Sequence, residues 1–428
     1  MSSLQIGHDE TLLVGAFRRF LFVSVDAPPR LGGVASLSFN IAQYLTKLGA
    51  SGSIFLGPDG TCFENQNPEF DVIVDFNSDT RLRQGAGSDL ENERIKDLLV
   101  RLIQAYEIDH VFLFHPFYYG VAGTEAAREC GITSSLYLHG TEVTSQIVGL
   151  NRDQPIELNN FLKPEESLPA RLLKAINGAD FLFTNSEYSK SLIEKLSKTK
   201  PITVTGCGID VERLKEECAI NPNYEPNLRN HAKLAVGLQA SLTLVIIARL
   251  VPHKNINLAI ELLSHLLEAQ LIVVGEGPEE TKLKQFASAI GVSDRILFAG
   301  NVSEDEKWRL LRAADVGLLI SGYDEQSGGY EGFGIAMLEY AAAGCLVLST
   351  GTHGMADFVL DHQAAVVGLK SPSTLTFDAA KLTQLYQCPS EMSRLVRHAR
   401  KVIHLNFTWE VVARNILAAY AGEQVTTE

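Results

Sequence analysis

The amino-acid sequence predicts an α/β protein of two domains, each built on a parallel sheet that helices cover on both faces. Three observations support this fold class. The chain has 428 residues, more than one ordinary hydrophobic core accommodates. Short apolar runs alternate with helical stretches along the chain. A polar segment near the middle interrupts this alternation, so we expect two separate doubly wound units.

The first domain is predicted at residues 20–220, after an N-terminal extension of residues 1–19. Its first strand begins at Phe20, where the run FLFVSVD is followed by the glycine-containing turn APPRLGG and a helical pattern that Gly49 closes. Helical stretches separate the further apolar runs, which are SIFLG, DVIVDF, HVFLF, SSLYLHG, DFLFTNS and ITVTG. Strands that alternate with helices in this way pair in parallel.

The second domain is predicted at residues 241–405. The segment before it, residues 212–237, is polar, contains two prolines and lacks a buried-strand run, so we place the inter-domain link at residues 221–240. The alternation then restarts, with strands predicted at LTLVIIARL, LIVVGEG, RILFAGNV, VGLLIS and CLVLSTG. The last stretch, FTWEVVARNILAAYA, has apolar residues at helical spacing and is predicted as a helix within residues 406–428.

The charge balance argues against a nucleic-acid partner. The chain has 37 Lys and Arg against 51 Asp and Glu, a formal net charge of -14, and both halves of the chain carry an acidic excess. Neither half therefore presents the basic field that nucleic acid requires, and an anionic membrane surface is disfavoured for the same reason. A local basic patch stays open, because net charge does not say where cations cluster.

The N-terminus and the cysteines indicate a cytoplasmic protein. Residues 1–19 include acidic residues and only a short apolar stretch, unlike a secretory signal. No segment reaches the roughly 18 apolar residues of a membrane span. The six cysteines are scattered without a C-x-x-C pair, which indicates reduced, mostly buried thiols rather than a disulfide framework or a zinc site.

Two groups of residues at predicted strand ends can bind an anion. Gly32 and Gly33 lie between the first strand and the first helix, where backbone N–H groups can approach an anion at the positive helix end. They are equally compatible with a tight turn that binds nothing.

Arg249 and Lys254 follow the first strand of the second domain and can neutralise a diphosphate. A solvated basic loop is the alternative.

The most specific feature is the segment EGFGIAMLE, which runs from Glu331 to Glu339. A helix is predicted to start near Gly334, so its first turn points N–H groups at a phosphate or sugar. Glu339 lies about a turn and a half into this helix, where its carboxylate can accept hydrogen bonds from a ribose. The alternative of two solvent-exposed acids on a surface helix fits poorly, because the residues around them are apolar.

Two further strand ends carry polar residues. His139 follows the predicted strand SSLYL and is expected to face the cleft between the two sheets, although a satisfied structural histidine fits equally well. Asn185 and Ser186 end the next strand and begin a helix. For both residues, an N-cap role competes equally with a ligand contact.

These segments resemble the retaining glycosyltransferases of family four, which have the GT-B fold of two facing Rossmann-like domains with a C-terminal helix that crosses back. The resemblance covers most of the chain, and its most specific part is the E-x7-E spacing with an internal FG. It runs through PPRLGGVASLSFNIAQYL, LYLHGTE, FTNSEYSKSLI, GCGIDVERL, ARLVPHKNINLAIELL, LIVVGEGPEETKLKQFA, ILFAGNV and EGFGIAMLEYAAAGCLVL.

The resemblance implies a nucleotide-diphosphate sugar as donor, UDP- or GDP-linked, with no other cofactor, and a saccharide or other small or lipid-linked acceptor. It implies that Gly33, Arg249 and Lys254 bind the diphosphate and that Glu339 holds the ribose. For the sugar it implies His139 and Glu331, with backbone groups near Phe333, Gly334 and Ile335. For the base it implies backbone groups of Asn301 and Val302.

The resemblance further implies transfer with retention of anomeric configuration. No pair of acids is placed as a nucleophile and acid couple, so we favour attack from the leaving-group face. The sequence contains no D-x-D pair, which points away from a metal mechanism. A sugar-nucleotide epimerase of the same fold and a catalytically silent nucleotide-sugar-binding subunit are the alternatives. The stretch GYDEQSGGY before Glu331 is longer and more polar than the usual link, so we expect a loop that shapes the donor or acceptor pocket.

Overall fold

The computed structural model describes residues 19–24, 33–50, 53–57, 70–74, 89–146, 168–198, 200–220, 226–238 and 242–422. These residues form two parallel sheets, one in each half of the chain. Side chains of the first strand alternate between two hydrophobic clusters. Phe20 and Phe22 belong to one cluster, and Leu21 and Val23 belong to the other. Burial on both faces explains why this strand is a continuous apolar run.

The first sheet has seven described strands in the order β3-β2-β1-β4-β5-β6-β7, all parallel. This order reverses direction between β1 and β4, as in doubly wound folds. The strands are β1 (Phe20–Val23), β2 (Ile54–Gly57), β3 (Asp71–Val74), β4 (His110–Leu113), β5 (Thr133–Leu138), β6 (Phe181–Thr184) and β7 (Ile202–Val204).

The helices of the first half are α1 (Gly33–Lys47), α2 (Asp89–Ala105), α3 (Val121–Glu129), α4 (Thr141–Gln146), α5 (Leu168–Gly178), α6 (Glu187–Leu196) and α7 (Val211–Ile220). Of the two N-cap candidates, Ser186 caps α6, because its side chain accepts from the backbone N–H of Ser189 at 3.1 Å. Asn185 instead donates to the carbonyl of His139 at 3.3 Å.

The second sheet has six described strands in the order β10-β9-β8-β11-β12-β13, again all parallel. They are β8 (Thr243–Ile247), β9 (Gln270–Val274), β10 (Ile296–Gly300), β11 (Val316–Leu319), β12 (Leu346–Ser349) and β13 (Val366–Val367). The five strands expected from the sequence are present. The edge strand β13 was not predicted, because two residues are too few to form an apolar run.

The remaining helices are α8 (Pro226–Ala235), α9 (Ile256–His265), α10 (Glu280–Ala289), α11 (Glu304–Ala313), α12 (Ile335–Ala342), α13 (Leu375–Tyr386), α14 (Pro389–Asn406) and α15 (Trp409–Tyr420). Among the helices that the structure describes, none is both long enough and apolar enough to cross a bilayer.

Helix α8 lies inside the range that the sequence suggested as a link, and it packs against α11 of the second domain. Its buried side chains are Arg229 and Lys233, each 1% exposed. The Lys233 ammonium lies 2.7 Å from a carboxylate oxygen of Asp315, which also accepts from the N–H of Thr243. The sequence pattern missed this helix because its inward face is charged rather than apolar.

Two segments of the chain, residues 208–209 and 407–409, pass between the domains and hydrogen-bond to each other. The N–H of Ile209 donates to the carbonyl of Phe407 at 2.9 Å, and the N–H of Trp409 donates to the carbonyl of Ile209 at 3.1 Å. Gly208 is required at this crossing, since a Cβ there would lie 2.4 Å from the Trp409 nitrogen.

Helix α15 begins in the second of these segments and packs against α1 of the first domain, as the predicted crossing helix requires. The Tyr420 hydroxyl lies 2.8 Å from Ser135 Oγ and 3.2 Å from His110 Nε2. Burial lowers the pKa of the His110 imidazole to about 3, so this ring is neutral at physiological pH. The contact anchors the C-terminal helix on the first sheet.

The thiols agree only partly with the expectation of buried cysteines. Cys207 and Cys345 are buried, Cys130 and Cys218 are half-buried, and Cys388 is exposed; all five are free. Cys62 lies outside the described residues.

We expect replacement of Lys233 by Met to lower the free energy of unfolding by about 3–5 kcal/mol, because the Asp315 carboxylate would stay buried without its cation. Calorimetric melting of the purified chain measures the effect. Lys282→Met is the matched control, since its ion pair with Glu279 lies on the surface and its loss should leave the melting temperature unchanged. A Lys233 variant as stable as the wild type would contradict the role given to this pair.

Candidate functional site

The carboxyl ends of the two sheets face each other across a narrow cleft. Gly332 follows β11, and a Cβ built on it would lie 3.0 Å from the carbonyl oxygen of His139 and 2.9 Å from Nδ2 of Asn185. Gly354 follows β12, and a Cβ there would lie 2.9 Å from Ser186 Oγ. Segments that follow the strands of both sheets therefore approach within van der Waals contact at this side of the cleft. Open α/β sheets bind ligands at this edge.

Lys254 and Glu331 form an ion pair in the cleft wall of the second domain. Lys254 ends a short turn after β8, and Glu331 follows β11, the strand that pairs with β8. The Lys254 ammonium donates to Oε2 of Glu331, and the Ser321 hydroxyl donates to the same oxygen at 3.0 Å. The two charged side chains are only 16% and 13% exposed.

This pairing controls the charge of Glu331. Burial alone would raise the pKa of its carboxyl, but the Lys254 ammonium and the Ser321 hydroxyl outweigh burial and hold the pKa below its ordinary value. The sequence predicts Lys254 at a phosphate and Glu331 at a sugar. Their pairing with each other in this structure was not predicted.

Arg249 lies on the same turn and is differently placed. Its side chain is exposed and makes no hydrogen bond or ion pair with the described residues. Burial, together with the charges of Lys254 and Arg249, lowers the pKa of the neighbouring His253 imidazole. The turn after β8 thus presents a guanidinium whose charge the described residues leave unneutralised, beside a neutral histidine.

The start of helix α12 agrees with the sequence prediction. Gly334 has a φ of 96° and precedes the first helical residue, Ile335. A Cβ on Gly334 would also lie 2.3 Å from a methyl group of Leu319, so both the backbone conformation and the available space require glycine. The Phe333 ring is buried and packs 5.4 Å from the ring of Phe407, which leaves the backbone of this segment to contact a ligand.

Glu339 is held by a cation that was not among the predicted site residues. Its Oε1 lies 2.7 Å from the ammonium of Lys307 on α11, and the two side chains are 17% and 15% exposed. Lys307 also lies 2.8 Å from a carboxylate oxygen of Glu304. No spacing in the sequence signals this pair, because Lys307 and Glu339 lie on different helices.

The residues predicted to hold the base lie before α11. Asn301 is exposed, Val302 is half-buried, and the N–H of Asn301 donates to the Glu276 carboxylate at 3.4 Å. Glu276 follows β9 and was not among the predicted site residues. Its carboxylate is an additional hydrogen-bond acceptor at this end of the sheet.

On the first domain, the His139 side chain has a hydrogen-bond partner within the protein, and the residue lies close to the cleft. Its side chain is buried, and its Nε2 lies 2.9 Å from the carbonyl oxygen of Phe114. The backbone N–H of His139 donates to the Glu142 carboxylate at 3.0 Å. Gly33 begins α1, and no atom of the residues that the structure describes lies within 4 Å of a Cβ built on it. Gly32 lies outside the described residues.

A second contact between the domains involves a titratable group. The Asp357 carboxylate of the second domain accepts from the N–H of Glu187, the first residue of α6, at 3.0 Å. A carboxylate at this position complements the positive end of a helix. Burial nevertheless raises the pKa of Asp357 to about 6.

Two doubly wound domains with facing sheet edges, paired crossings and a returning C-terminal helix define a GT-B protein. The family model "Glycosyl transferases group 1" matches residues 237–402, and the model "Glycosyltransferase Family 4" matches residues 31–213. Between them the two models cover most of the chain, so the chain belongs to this family of glycosyltransferases and is a transferase. The family predicted from the sequence is confirmed.

Relatives and solved structures agree. The chain is 22% identical over 415 residues to an uncharacterised glycosyltransferase of Methanocaldococcus jannaschii, covering 94% of this chain and 97% of the relative. It is 24% identical to a GDP-mannose-dependent alpha-(1-6)-phosphatidylinositol monomannoside mannosyltransferase of Mycobacterium tuberculosis, over 82% of this chain and 84% of the relative.

Two solved structures show the same fold. The Anabaena protein HepE, crystallised with UDP and glucose, superimposes with a TM-score of 0.68 at 16% identity, over 95% of this chain and 100% of that one. A sucrose-phosphate synthase of Thermosynechococcus elongatus superimposes with a TM-score of 0.70 at 16% identity, over 95% and 98%.

The pKa of Asp357 predicts a pH-dependent stability. Because its folded pKa of about 6 exceeds the ordinary value, the folded chain keeps a proton that the unfolded chain has released, so the unfolding free energy falls as pH rises towards 6. Asp357→Asn should remove this loss and stabilise the chain at neutral pH by on the order of 2 kcal/mol. Melting temperatures between pH 4 and pH 7 measure it.

Asp294→Asn, on an exposed turn, controls for the removal of a negative charge. A difference between Asp357→Asn and the wild type that stays constant with pH would contradict the assigned protonation.

Proposed function

We propose that this transferase moves a sugar from a UDP- or GDP-linked donor to a hydroxyl of a saccharide or lipid-linked acceptor, with retention of configuration and without a metal ion. The observation that carries the proposal is the segment after β8, where Lys254 pairs with Glu331 and the exposed Arg249 lies five residues earlier in the chain. The names of relatives support the donor class, since the mycobacterial relative is GDP-mannose-dependent and HepE was crystallised with UDP and glucose.

The diphosphate binds the two cations of this segment. Arg249 is exposed and unpaired among the described residues, so its planar fork is available to phosphate oxygens. Lys254 is paired with Glu331, and donor binding exchanges this partner for the diphosphate. Glu331 is then released to accept from sugar hydroxyls. Gly33, at the positive end of α1, supplies backbone N–H groups from the other domain.

The nucleoside binds further along the edge. Lys307 holds one carboxylate oxygen of Glu339, which leaves the other to accept from a ribose hydroxyl. Because the ion pair fixes the Glu339 rotamer, little side-chain entropy is lost when the ribose binds. Backbone groups of Asn301 and Val302 contact the base.

The chemical step exchanges one bond for another at the anomeric carbon. The acceptor oxygen attacks from the face of the leaving diphosphate, the bond to the diphosphate oxygen breaks, and that oxygen takes the acceptor proton. Arg249, Lys254 and the start of α12 stabilise the charge that develops on the departing diphosphate. His139 and Glu331 orient the sugar from opposite domains, and the approach of the two sheet edges excludes water.

The donor and reaction type are tested by incubating the protein with a panel of UDP- and GDP-sugars, with and without saccharide acceptors, and resolving the products by mass. Transferred sugar supports the proposal, and the anomeric configuration of the product by NMR tests retention. An isomerised donor would instead identify an epimerase, and donor binding without turnover would identify a silent subunit.

Lys254→Ala should reduce kcat by about 10²–10³-fold, because one of the two cations that stabilise the leaving diphosphate is lost. The variant also leaves the Glu331 carboxylate buried without its partner, so the double variant Lys254→Ala/Glu331→Gln separates loss of charge balance from loss of the cation. Steady-state kinetics measure both, with circular dichroism to verify folding. Lys282→Ala, an exposed lysine, is the control. Near-normal turnover in Lys254→Ala would refute the assignment.

A further inference from the structure

The loop 322–330, between β11 and Glu331, has a defined structure of its own. The N–H of Asp324 donates to the carbonyl of Gly329 at 2.8 Å, and the N–H of Gly328 donates back to the carbonyl of Asp324 at 2.8 Å. The Asp324 carboxylate also accepts from the N–H of Gln326 at 3.2 Å. Although its composition is polar, the loop is a compact turn with a fixed direction.

This loop reaches across the cleft into the first domain. Tyr330 is only 2% exposed and belongs to the same cluster of buried side chains as Val143 of α4 and Leu192 of α6. The Thr144 hydroxyl of α4 donates to the carbonyl of Gly328 at 2.6 Å. A residue of the second domain is thus part of the hydrophobic core of the first.

The first domain has a pocket that fits the Tyr330 phenol. The hydroxyl lies 3.2 Å from Ser189 Oγ, and the ring packs edge-on against Tyr188 with centroids 5.1 Å apart. Gly140 has a φ of 93°, and a Cβ there would lie 1.8 Å from the Tyr330 hydroxyl. The phenol therefore occupies the space that a side chain at Gly140 would need.

The position of this pocket links two predicted sugar ligands. Gly140 directly follows His139, and Tyr330 directly precedes Glu331. Insertion of the ring therefore fixes the backbone at Glu331 relative to the backbone at His139, although the two residues belong to different domains. The Lys254–Glu331 pair and the side-chain contact of His139 with Phe114 cannot do this, because each lies within one domain.

We propose that Tyr330 is a positioning residue, which docks in the Gly140–Ser189 pocket and holds Glu331 opposite His139 so that one sugar is bound from both domains. The inference rests on the proposed function for its substrate. Without the ring, the cations and Glu331 remain together on the second domain, so the donor still binds. The domains then close poorly, and the acceptor and the anomeric carbon are misaligned.

The first experiment does not depend on activity. Small-angle X-ray scattering of the full chain without donor should show a larger radius of gyration for Tyr330→Ala than for the wild type. Tyr330→Phe, which keeps the ring, should restore the wild-type value. Thr144→Val, which removes the hydroxyl that donates to Gly328 across the domains and to Thr141 within the first domain, should open the domains in the same direction and to a smaller extent. Tyr106→Ala, at an exposed tyrosine of the first domain, is the control.

The second experiment separates positioning from a purely structural role. With the donor and acceptor identified by the panel, Tyr330→Ala should lose about 100-fold in kcat, while its Kd for UDP or GDP by calorimetry stays near the wild-type value. Donor hydrolysis should rise relative to transfer, because water enters the open cleft. Tyr330→Phe should recover most of kcat.

The outcomes test the role of Tyr330 and the proposed sugar transfer separately. An unchanged radius of gyration in both Tyr330→Ala and Thr144→Val would overturn the docking role, and an open Tyr330→Ala variant with wild-type kcat would overturn the positioning role. A wild-type chain that transfers no sugar would overturn the proposed function instead. Scattering would then still show whether Tyr330 holds the two domains together.

Discussion

The arrangement of the site depends on the parallel pairing of β8 with β11, which brings the ends of two strands together although some seventy residues separate them in the chain. Lys254 and Glu331 follow these strands, so their charges meet in a wall where water is scarce. The Lys254 ammonium and the Ser321 hydroxyl both donate to one oxygen of the Glu331 carboxylate, which offsets part of the cost of burying that charge. In the proposed function, a diphosphate replaces Glu331 as the partner of Lys254 and sugar hydroxyls replace Lys254 as partners of Glu331, so each side chain keeps a complementary partner when the donor binds.

The other end of α12 shows how this site is held in place. Arg229 of α8 donates to the carbonyl of Ala343, and Arg400 of α14 donates to the carbonyls of Ala341 and Ala342. Cations at the carbonyl end of a helix complement its dipole. Two buried guanidinium groups therefore hold the helix from behind, while its amide end faces the cleft with Gly334 at the turn.

Most of the fold could be predicted from the sequence, because strands buried on both faces must be continuous apolar runs, as in β1 and β9. Prediction failed where charge replaced apolar character, as in α8 with its buried Lys233, or where a strand was as short as β13. In the site, positions such as Arg249 and Lys254 follow from the rule that ligands bind at strand ends. Their partners do not, because pairs such as Lys307 with Glu339 and Tyr330 with Ser189 depend on how helices and domains pack and leave no periodic signal.

The anchoring of Tyr420 against His110 and Ser135 also bears on how the chain folds during synthesis. Domains generally fold from the N-terminus onwards as the ribosome releases them. In the folded chain, the Tyr420 ring of α15 packs edge-on against the rings of Phe181 and Phe183 on the first sheet. These rings lack that cover until α15 has been made, so the first domain completes its packing only after the second half of the chain has been translated.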